Sequence, residues 1–126
     1  VMHELSLCEG IVSAVERTAE RHGVDRVASV RVAVGRLAGV DIPSLEFAWR
    51  SVTMTGPLTG AKLVVERPEG TAYCTDCGET VPLGRFGDAC PKCGGFRLIP
   101  NGGTELKVLD FVPAEDEAER SEPETN

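Results

Sequence analysis

Aromatic residues are scarce in this sequence, and it has no long apolar segment. Four Phe, one Trp and one Tyr make up 5% of the 126 residues, so we expect a core of mostly Val, Leu, Ile and Ala. No apolar run approaches the ~20 residues that a membrane-spanning helix requires. The N-terminus also lacks the basic and then apolar segments of a signal peptide. We therefore expect a cytoplasmic protein without a membrane partner.

An excess of basic residues is also missing. The chain has 13 Lys and Arg against 20 Asp and Glu, which gives a net charge of −7. Nucleic-acid-binding proteins neutralise phosphates with clustered Lys and Arg, so this balance disfavours a nucleic acid as partner. Part of the acidity lies in residues 114–126, AEDEAERSEPETN. Because this segment has no apolar periodicity, we predict that it forms a disordered tail.

Motifs of catalysis and of disulfide frameworks are absent as well. The sequence contains no nucleophile–base pair, phosphate-binding loop or open catalytic metal site, so we predict that the chain is not an enzyme. Its five cysteines lie in a chain that we expect to be cytoplasmic, where disulfides are rare. Metal binding is the better interpretation of these cysteines.

Apolar periodicity predicts the elements of the first half of the chain. Apolar residues at steps of three and four predict a first helix. A capping-box pattern places its start near Ser6, and Gly23 is expected to end it. Residues 27–34 alternate as a strand. Asp41 and Pro43 suit the first turn of a second helix, in which Trp49 lies on the buried face.

The second half is predicted to contain two further strands and an insertion. Residues 61–66 and 104–112 alternate as strands, and the last one is expected to return to the first sheet. Between them the chain is rich in Cys, Gly and Pro. The predicted fold class is therefore α/β, a small sheet with two helices plus an inserted zinc-ribbon-like module. The predicted domains are an α/β domain over 1–68 and 103–113, a cysteine-rich module over 69–102 and the tail.

Four cysteines form two CxxC pairs. Cys74 and Cys77 make the first, Cys90 and Cys93 the second, and twelve residues separate them. Two such pairs can close a tetrahedral thiolate shell around one structural Zn²⁺ ion. The same pattern occurs in iron-tetrathiolate electron carriers, and ligand type does not separate the two metals. Zinc is favoured because those iron proteins usually consist of this module and little else, whereas here the module is inserted in a larger α/β domain.

The N-terminus and two other segments carry a family resemblance. The chain opens with an MHE-x-x-L-C pattern at residues 2–8, continues with LAGVDIP at residues 37–43, and ends its cysteine module with CPxCG. In combination these segments resemble the hydrogenase nickel-incorporation proteins, the HypA/HybF family. The resemblance extends from Met2 to about Val112 and leaves only the acidic tail outside.

The resemblance implies a function and a set of ligands. A member of this family is a nickel metallochaperone that delivers Ni²⁺ to the large subunit of NiFe hydrogenase, together with the GTPase HypB and, in some organisms, urease maturation factors. Carried over, the nickel ligands are His3 and Glu4, and the structural zinc ligands are Cys74, Cys77, Cys90 and Cys93. Apart from the resemblance, nitrogen donors near a chain terminus suit Ni²⁺ or Cu²⁺, and the residues alone favour an ordinary surface histidine at His3. Family members begin at Met, whereas here Val1 precedes Met2. We expect nickel binding either way, with an altered geometry if Val1 is a free terminus.

Other residues with metal-binding or catalytic side chains have structural explanations. Cys8 lies on the apolar stripe of the first helix and is expected to be buried. Asp41 is expected to cap the second helix, and His22 to interact with the end of the first. Two alternatives to a metallochaperone stay open at this point: a zinc-ribbon adaptor or interaction module, and an iron-tetrathiolate electron carrier.

Overall fold

The computed structural model describes residues 2–114. Val1 and residues 115–126 lie outside the described residues, so the predicted disordered tail is not described beyond Ala114. The element order is α1 (Met2–Arg21), β1 (Val27–Val34), α2 (Ile42–Val52), β2 (Lys62–Glu66), β3 (Thr71–Cys74), β4 (Thr80–Pro82), β5 (Leu98–Gly102) and β6 (Leu106–Pro113). This order confirms the predicted α/β class. Neither described helix has the length and apolar character needed to cross a membrane.

Helix α1 ends where the sequence predicts but begins earlier. Gly23 adopts the left-handed conformation, with φ of 68°, and the Val24 N–H donates to the Ala19 carbonyl at 2.9 Å, as in a Schellman cap. The predicted start at Ser6 is wrong, because the helix begins at Met2. Glu4 in the added first turn suits the positive end of the helix dipole.

Helix α2 begins at the predicted cap. The Asp41 side chain accepts a hydrogen bond from the Ser44 N–H at 3.0 Å, which confirms its capping role. Leu45, Ala48 and Trp49 form the buried face. Trp49 is 4% exposed, and its indole N–H donates to the Ala61 carbonyl at 2.8 Å, so its only polar atom is satisfied in the core.

The first sheet has the strand order β2–β1–β6. The predicted return of the last strand to this sheet is therefore confirmed. Val30, Val32 and Val34 on the central strand are buried, as their alternation predicts. Arg31 on β1 donates from Nε to Asp110 Oδ1 of β6 at 3.1 Å, and this exposed pair links the two strands.

The second sheet has the order β4–β3–β5 and is antiparallel. Strands β3, β4 and β5 are four, three and five residues long, and the sequence analysis did not identify them. Tyr73 on β3 pairs with Thr80 on one side and Ile99 on the other. The cysteine region is thus a small sheet with its own register.

The chain packs as two compact units. Unit 1 contains the described residues of Val1–Val32, Asp41–Val64 and Val108–Asn126, and unit 2 contains Ala33–Val40 and Val65–Lys107. Within unit 2 the backbones of Gly35 and Gly103 lie so close that a Cβ on Gly35 would be 2.0 Å from the Gly103 carbonyl oxygen. The assignment of nickel and zinc to separate domains stays a prediction.

Candidate metal centre

The four predicted zinc ligands lie together in unit 2. The sulfur atoms of Cys74, Cys77, Cys90 and Cys93 are all within 4.8 Å of one another. The Sγ atoms of Cys74 and Cys93 are 3.6 Å apart, and those of Cys77 and Cys90 are 3.8 Å apart. A tetrahedron with Zn–S bonds of about 2.3 Å has an edge of about 3.8 Å. The donor set and its spacing therefore fit a tetrathiolate zinc site.

Each CxxC pair forms a knuckle closed by the same local hydrogen bonds. The N–H groups of Gly78 and Gly94 donate to the carbonyls of Cys74 and Cys90, each at 2.8 Å. Both glycines adopt left-handed conformations, with φ of 74° and 76°. A side chain is disfavoured in this conformation, which explains why glycine follows each pair.

Backbone N–H groups point at the cysteine sulfurs. Burial opposes the ionisation of Cys90, but hydrogen bonds from the N–H groups of Cys93 and Lys92 outweigh it and lower the pKa of Cys90 to about 7. Burial, together with the neighbouring thiols, raises the pKa of Cys77 to about 12. Binding of a metal ion at neutral pH must therefore displace protons from part of the cluster.

The apolar packing around these cysteines is limited. Val81 packs with the buried Cys74 and Cys90, and the partly buried Leu98 packs against this cluster. A second cluster consists of Leu37, Ala72 and Leu83. So few apolar side chains supply little folding free energy, which is the situation in which a structural metal ion contributes most.

Charged side chains join one knuckle to the other. Arg97 Nε donates to Asp76 Oδ1 at 3.1 Å, and Lys92 pairs with Glu79. The Glu79 carboxylate raises the pKa of Lys92. The sequence analysis did not identify these pairs, although the signs of the four charges were visible in it.

The two predicted nickel ligands lie side by side in the first turn of α1. His3 Nδ1 is 3.6 Å from Glu4 Oε2. The His3 side chain is 60% exposed, whereas that of Glu4 is 7% exposed. Within residues 2–114, the four cysteines are the only group of three or more His, Cys, Asp or Glu side chains close enough to share an ion. His3 and Glu4 are therefore adjacent, with one exposed and one buried side chain.

Glu4 is held in place by the start of α2. The Asp41 N–H donates to Glu4 Oε2 at 3.1 Å. This hydrogen bond is the main cause that lowers the pKa of Glu4 to about 2. The carboxylate next to His3 is therefore charged throughout the neutral range.

Cys8 and His22 occupy the structural positions that the sequence predicts for them. Cys8 is buried, and its Sγ donates to the Leu45 carbonyl at 3.4 Å, which confirms a core thiol. His22 follows α1, and its Nδ1 lies 2.9 Å from the Thr18 carbonyl oxygen of the last turn. Neither residue belongs to the cysteine cluster.

Comparison with known protein families gives one match over nearly the whole described chain. The sequence model described as "Hydrogenase/urease nickel incorporation, metallochaperone, hypA" matches residues 2–112. A hydrogenase maturation factor HypA from Xanthobacter autotrophicus is 48% identical over 111 residues, which cover 87% of this chain and 97% of that protein. One from Polaromonas naphthalenivorans is 45% identical over 115 residues, 91% and 100% of the two chains.

Solved structures with the same name share the fold. The solution structure of the Ni metallochaperone HypA from Helicobacter pylori superposes with a TM-score of 0.63 at 19% identity, covering 87% of this chain and 96% of that one. Another, described as the solution structure of HypA protein, gives 0.66 at 21% identity, with coverages of 90% and 97%. At these identities the similarity establishes the fold.

Proposed function

The chain belongs to the HypA family of hydrogenase/urease nickel-incorporation metallochaperones, and from this premise we propose that it carries Ni²⁺ in the cytoplasm to the maturation of NiFe hydrogenase. The family is one of metallochaperones and maturation factors, not of enzymes. The observation that carries the proposal is that the family match spans residues 2–112, which include both His3 and the four cysteines. A transport site and a structural site then lie in one chain.

The nickel site proposed here uses His3 and Glu4. An exposed imidazole in the first turn of a helix can take up and release an ion without opening a core. Imidazole nitrogen is a suitable donor for Ni²⁺. Glu4, held by the Asp41 N–H, supplies a fixed negative charge beside it. A carrier has to surrender its ion, and a partly open site serves that requirement better than a closed cage.

The structural site proposed here uses Cys74, Cys77, Cys90 and Cys93 as ligands of Zn²⁺. Four thiolates leave no open position for a substrate, and zinc has no redox chemistry, so its contribution is folding free energy. The sulfur spacings of 3.6 and 3.8 Å support this assignment. The backbone N–H groups directed at sulfur would stabilise the thiolates once formed.

The partners proposed here follow from family membership. They are the large subunit of NiFe hydrogenase as recipient, the GTPase HypB as the source of any nucleotide hydrolysis, and urease maturation factors where an organism has them. The names of the relatives support a role in hydrogenase maturation. Pull-down of the full chain with each candidate, with and without Ni²⁺, would test each partner separately.

Metal analysis of the purified full chain tests both sites. We expect about one tightly held Zn²⁺ and about one added Ni²⁺ per chain, with nickel binding lost in His3→Ala and zinc unchanged. His22→Ala is the matched control, because His22 is the other of the two histidines in the sequence. Nickel binding that survives in His3→Ala would refute the nickel assignment.

An iron-tetrathiolate centre is the second candidate for the cysteine site. The same four-sulfur geometry suits iron, so the sulfur spacing alone does not choose between the metals. Visible absorption decides: an iron-tetrathiolate protein is red as isolated, and a zinc protein is colourless. A red protein would mean that the four cysteines bind redox-active iron and not the structural zinc proposed here.

A further inference from the structure

The two cysteine knuckles carry charges of opposite sign. Residues 74–80 contain two acids, Asp76 and Glu79, and no base. Residues 90–97 contain two bases, Lys92 and Arg97, and no acid. The two signs are therefore fully separated between the two short loops.

The structure pairs these charges across the knuckles. Asp76 accepts from Arg97, and Glu79 accepts from Lys92. Asp76 and Lys92 occupy the same place in their motifs, the third residue of each CxxC, so each knuckle gives one partner from this position. Both ion pairs therefore connect the first knuckle to the second, and neither lies within one knuckle.

The hydrogen bonds that close each knuckle are local, in contrast to the ion pairs. Gly78 bonds back to Cys74, and Gly94 bonds back to Cys90. These bonds keep each pair of thiols together but do not hold one pair against the other. Separation of the two pairs would open the shell around a bound ion, so links between the knuckles oppose release. The ion pairs add to the hydrogen bonds that the Thr75 N–H and Oγ1 donate to the Arg97 carbonyl at 3.0 and 3.2 Å.

The backbone of the second knuckle leaves room for one of these links. A Cβ on Gly95 would lie 2.4 Å from Asp76 Oδ2. Glycine at this position therefore lets the Asp76 carboxylate lie against the second knuckle, within reach of Arg97. The same Cβ would lie 3.4 Å from Cys93 Sγ, so Gly95→Ala would disturb the surroundings of a proposed ligand together with the Asp76 contact.

We propose that Asp76, Glu79, Lys92 and Arg97 form a charge clamp that holds the two knuckles at metal-binding distance and slows metal release. The four residues are positioning residues, since they act through the cysteines and do not bind the ion. This inference rests on the proposed assignment of the four thiols to a metal ion. Exposed ion pairs are individually weak and are screened by salt, so the clamp acts on a rate and in a salt-dependent way.

The test measures Zn²⁺ release from the full chain to a chromophoric chelator, at chelator concentrations where the rate no longer depends on the chelator. We expect Asp76→Asn with Glu79→Gln to release zinc roughly 2- to 30-fold faster than wild type. Exchange of all four charges, Asp76→Lys and Glu79→Lys with Lys92→Glu and Arg97→Glu, is expected to restore slow release. Glu69→Gln is the matched control, because its ion pair with Arg36 does not involve the knuckles.

Salt dependence gives a reading that needs no variant. Release from wild type is expected to accelerate between about 0.05 M and 1 M salt, where the screening length falls to about 3 Å. Release from the chain with Asp76→Asn and Glu79→Gln is expected not to accelerate. Gly95→Ala, which removes no charge, should also accelerate release. A wild-type rate that is flat in salt, or an exchanged variant that stays fast, overturns the clamp. A wild-type chain that holds no metal refutes the proposed metal site itself, so the two failures are distinguishable.

Discussion

The backbone N–H of Asp41 donates a 3.1 Å hydrogen bond to the carboxylate of Glu4, so the residue that caps the second helix also anchors the first turn of the first helix. The two residues are 37 positions apart in the chain. Family membership makes this region the candidate nickel site, and the bond explains how the N-terminal turn is held in a defined position. It also lowers the pKa of the carboxylate, so the stability that Glu4 contributes changes only in the acid range.

Glu4 should contribute stability that depends on pH. Its folded pKa of about 2 lies below the ordinary value of 4.5, so the contribution is fully present above about pH 4.5 and is lost as the pH falls towards 2. Glu4→Gln should therefore lower the Tm at pH 7 by a few degrees and by less near pH 2. Thermal unfolding followed by circular dichroism measures this difference. An equal Tm deficit at both pH values would contradict the expected linkage.

Removal of the metal should unfold unit 2 selectively. Structural zinc sites contribute roughly 10–16 kcal/mol in small zinc-finger peptides, and the apolar clusters around the cysteines are small. After treatment with a strong chelator, we expect amide hydrogen exchange to become fast in β3, β4 and β5 while α1 stays protected. Unchanged protection of β3 would show that the sheet folds without metal.

Substitution of a cluster cysteine should lower the zinc content of the chain, whereas substitution of Cys8 should not. Cys90→Ser removes one of the four sulfurs and should reduce bound zinc to well below one per chain. Cys8→Ser keeps a hydrogen-bond donor for the Leu45 carbonyl and should leave the zinc content unchanged. Zinc content measured by atomic emission on both variants checks the pair, and loss of zinc in Cys8→Ser would be inconsistent with a core role for that thiol.

Two glycines offer a contrast in stability. Gly35→Ala would place a methyl group 2.0 Å from the Gly103 carbonyl oxygen and should destabilise unit 2 by on the order of 3 kcal/mol. Gly10→Ala meets nothing within 4 Å on α1 and should stabilise the helix by about 0.8–1 kcal/mol. Urea denaturation of both variants beside wild type measures these changes. The contrast fails if the two substitutions shift the midpoint in the same direction.

The sequence predicted elements whose signals are local. Asp41 and Pro43 indicated the start of α2, and the alternation of Val30, Val32 and Val34 indicated β1. Both were confirmed because cap and pattern lie within a few residues of the element that they specify. The spacing of the cysteines likewise predicted their clustering, since two short motifs contain the whole donor set.

The sequence was less informative where distant residues meet. Ser6 and Glu9 carry a capping-box spacing, yet α1 begins four residues earlier, where Glu4 receives its hydrogen bond from Asp41. The pairing of Asp76 with Arg97 depends on how two knuckles fold against each other, which spacing does not reveal. Long-range contacts of this kind decide the start of one helix and the surroundings of the thiols.

Because Cys8 is buried, thiol modification of the folded chain can report on the four cysteines of the cluster. Burial, with the nearby charge of Glu4, raises the pKa of Cys8 to about 11, so at neutral pH this thiol is protonated and a poor nucleophile. Within the cluster, Cys93 is exposed and the pKa of Cys90 is lowered to about 7. Without a bound metal ion, an electrophilic reagent should therefore react at these cysteines and leave Cys8 untouched. The number of rapidly modified thiols thus reports directly whether the cluster is protected by its metal.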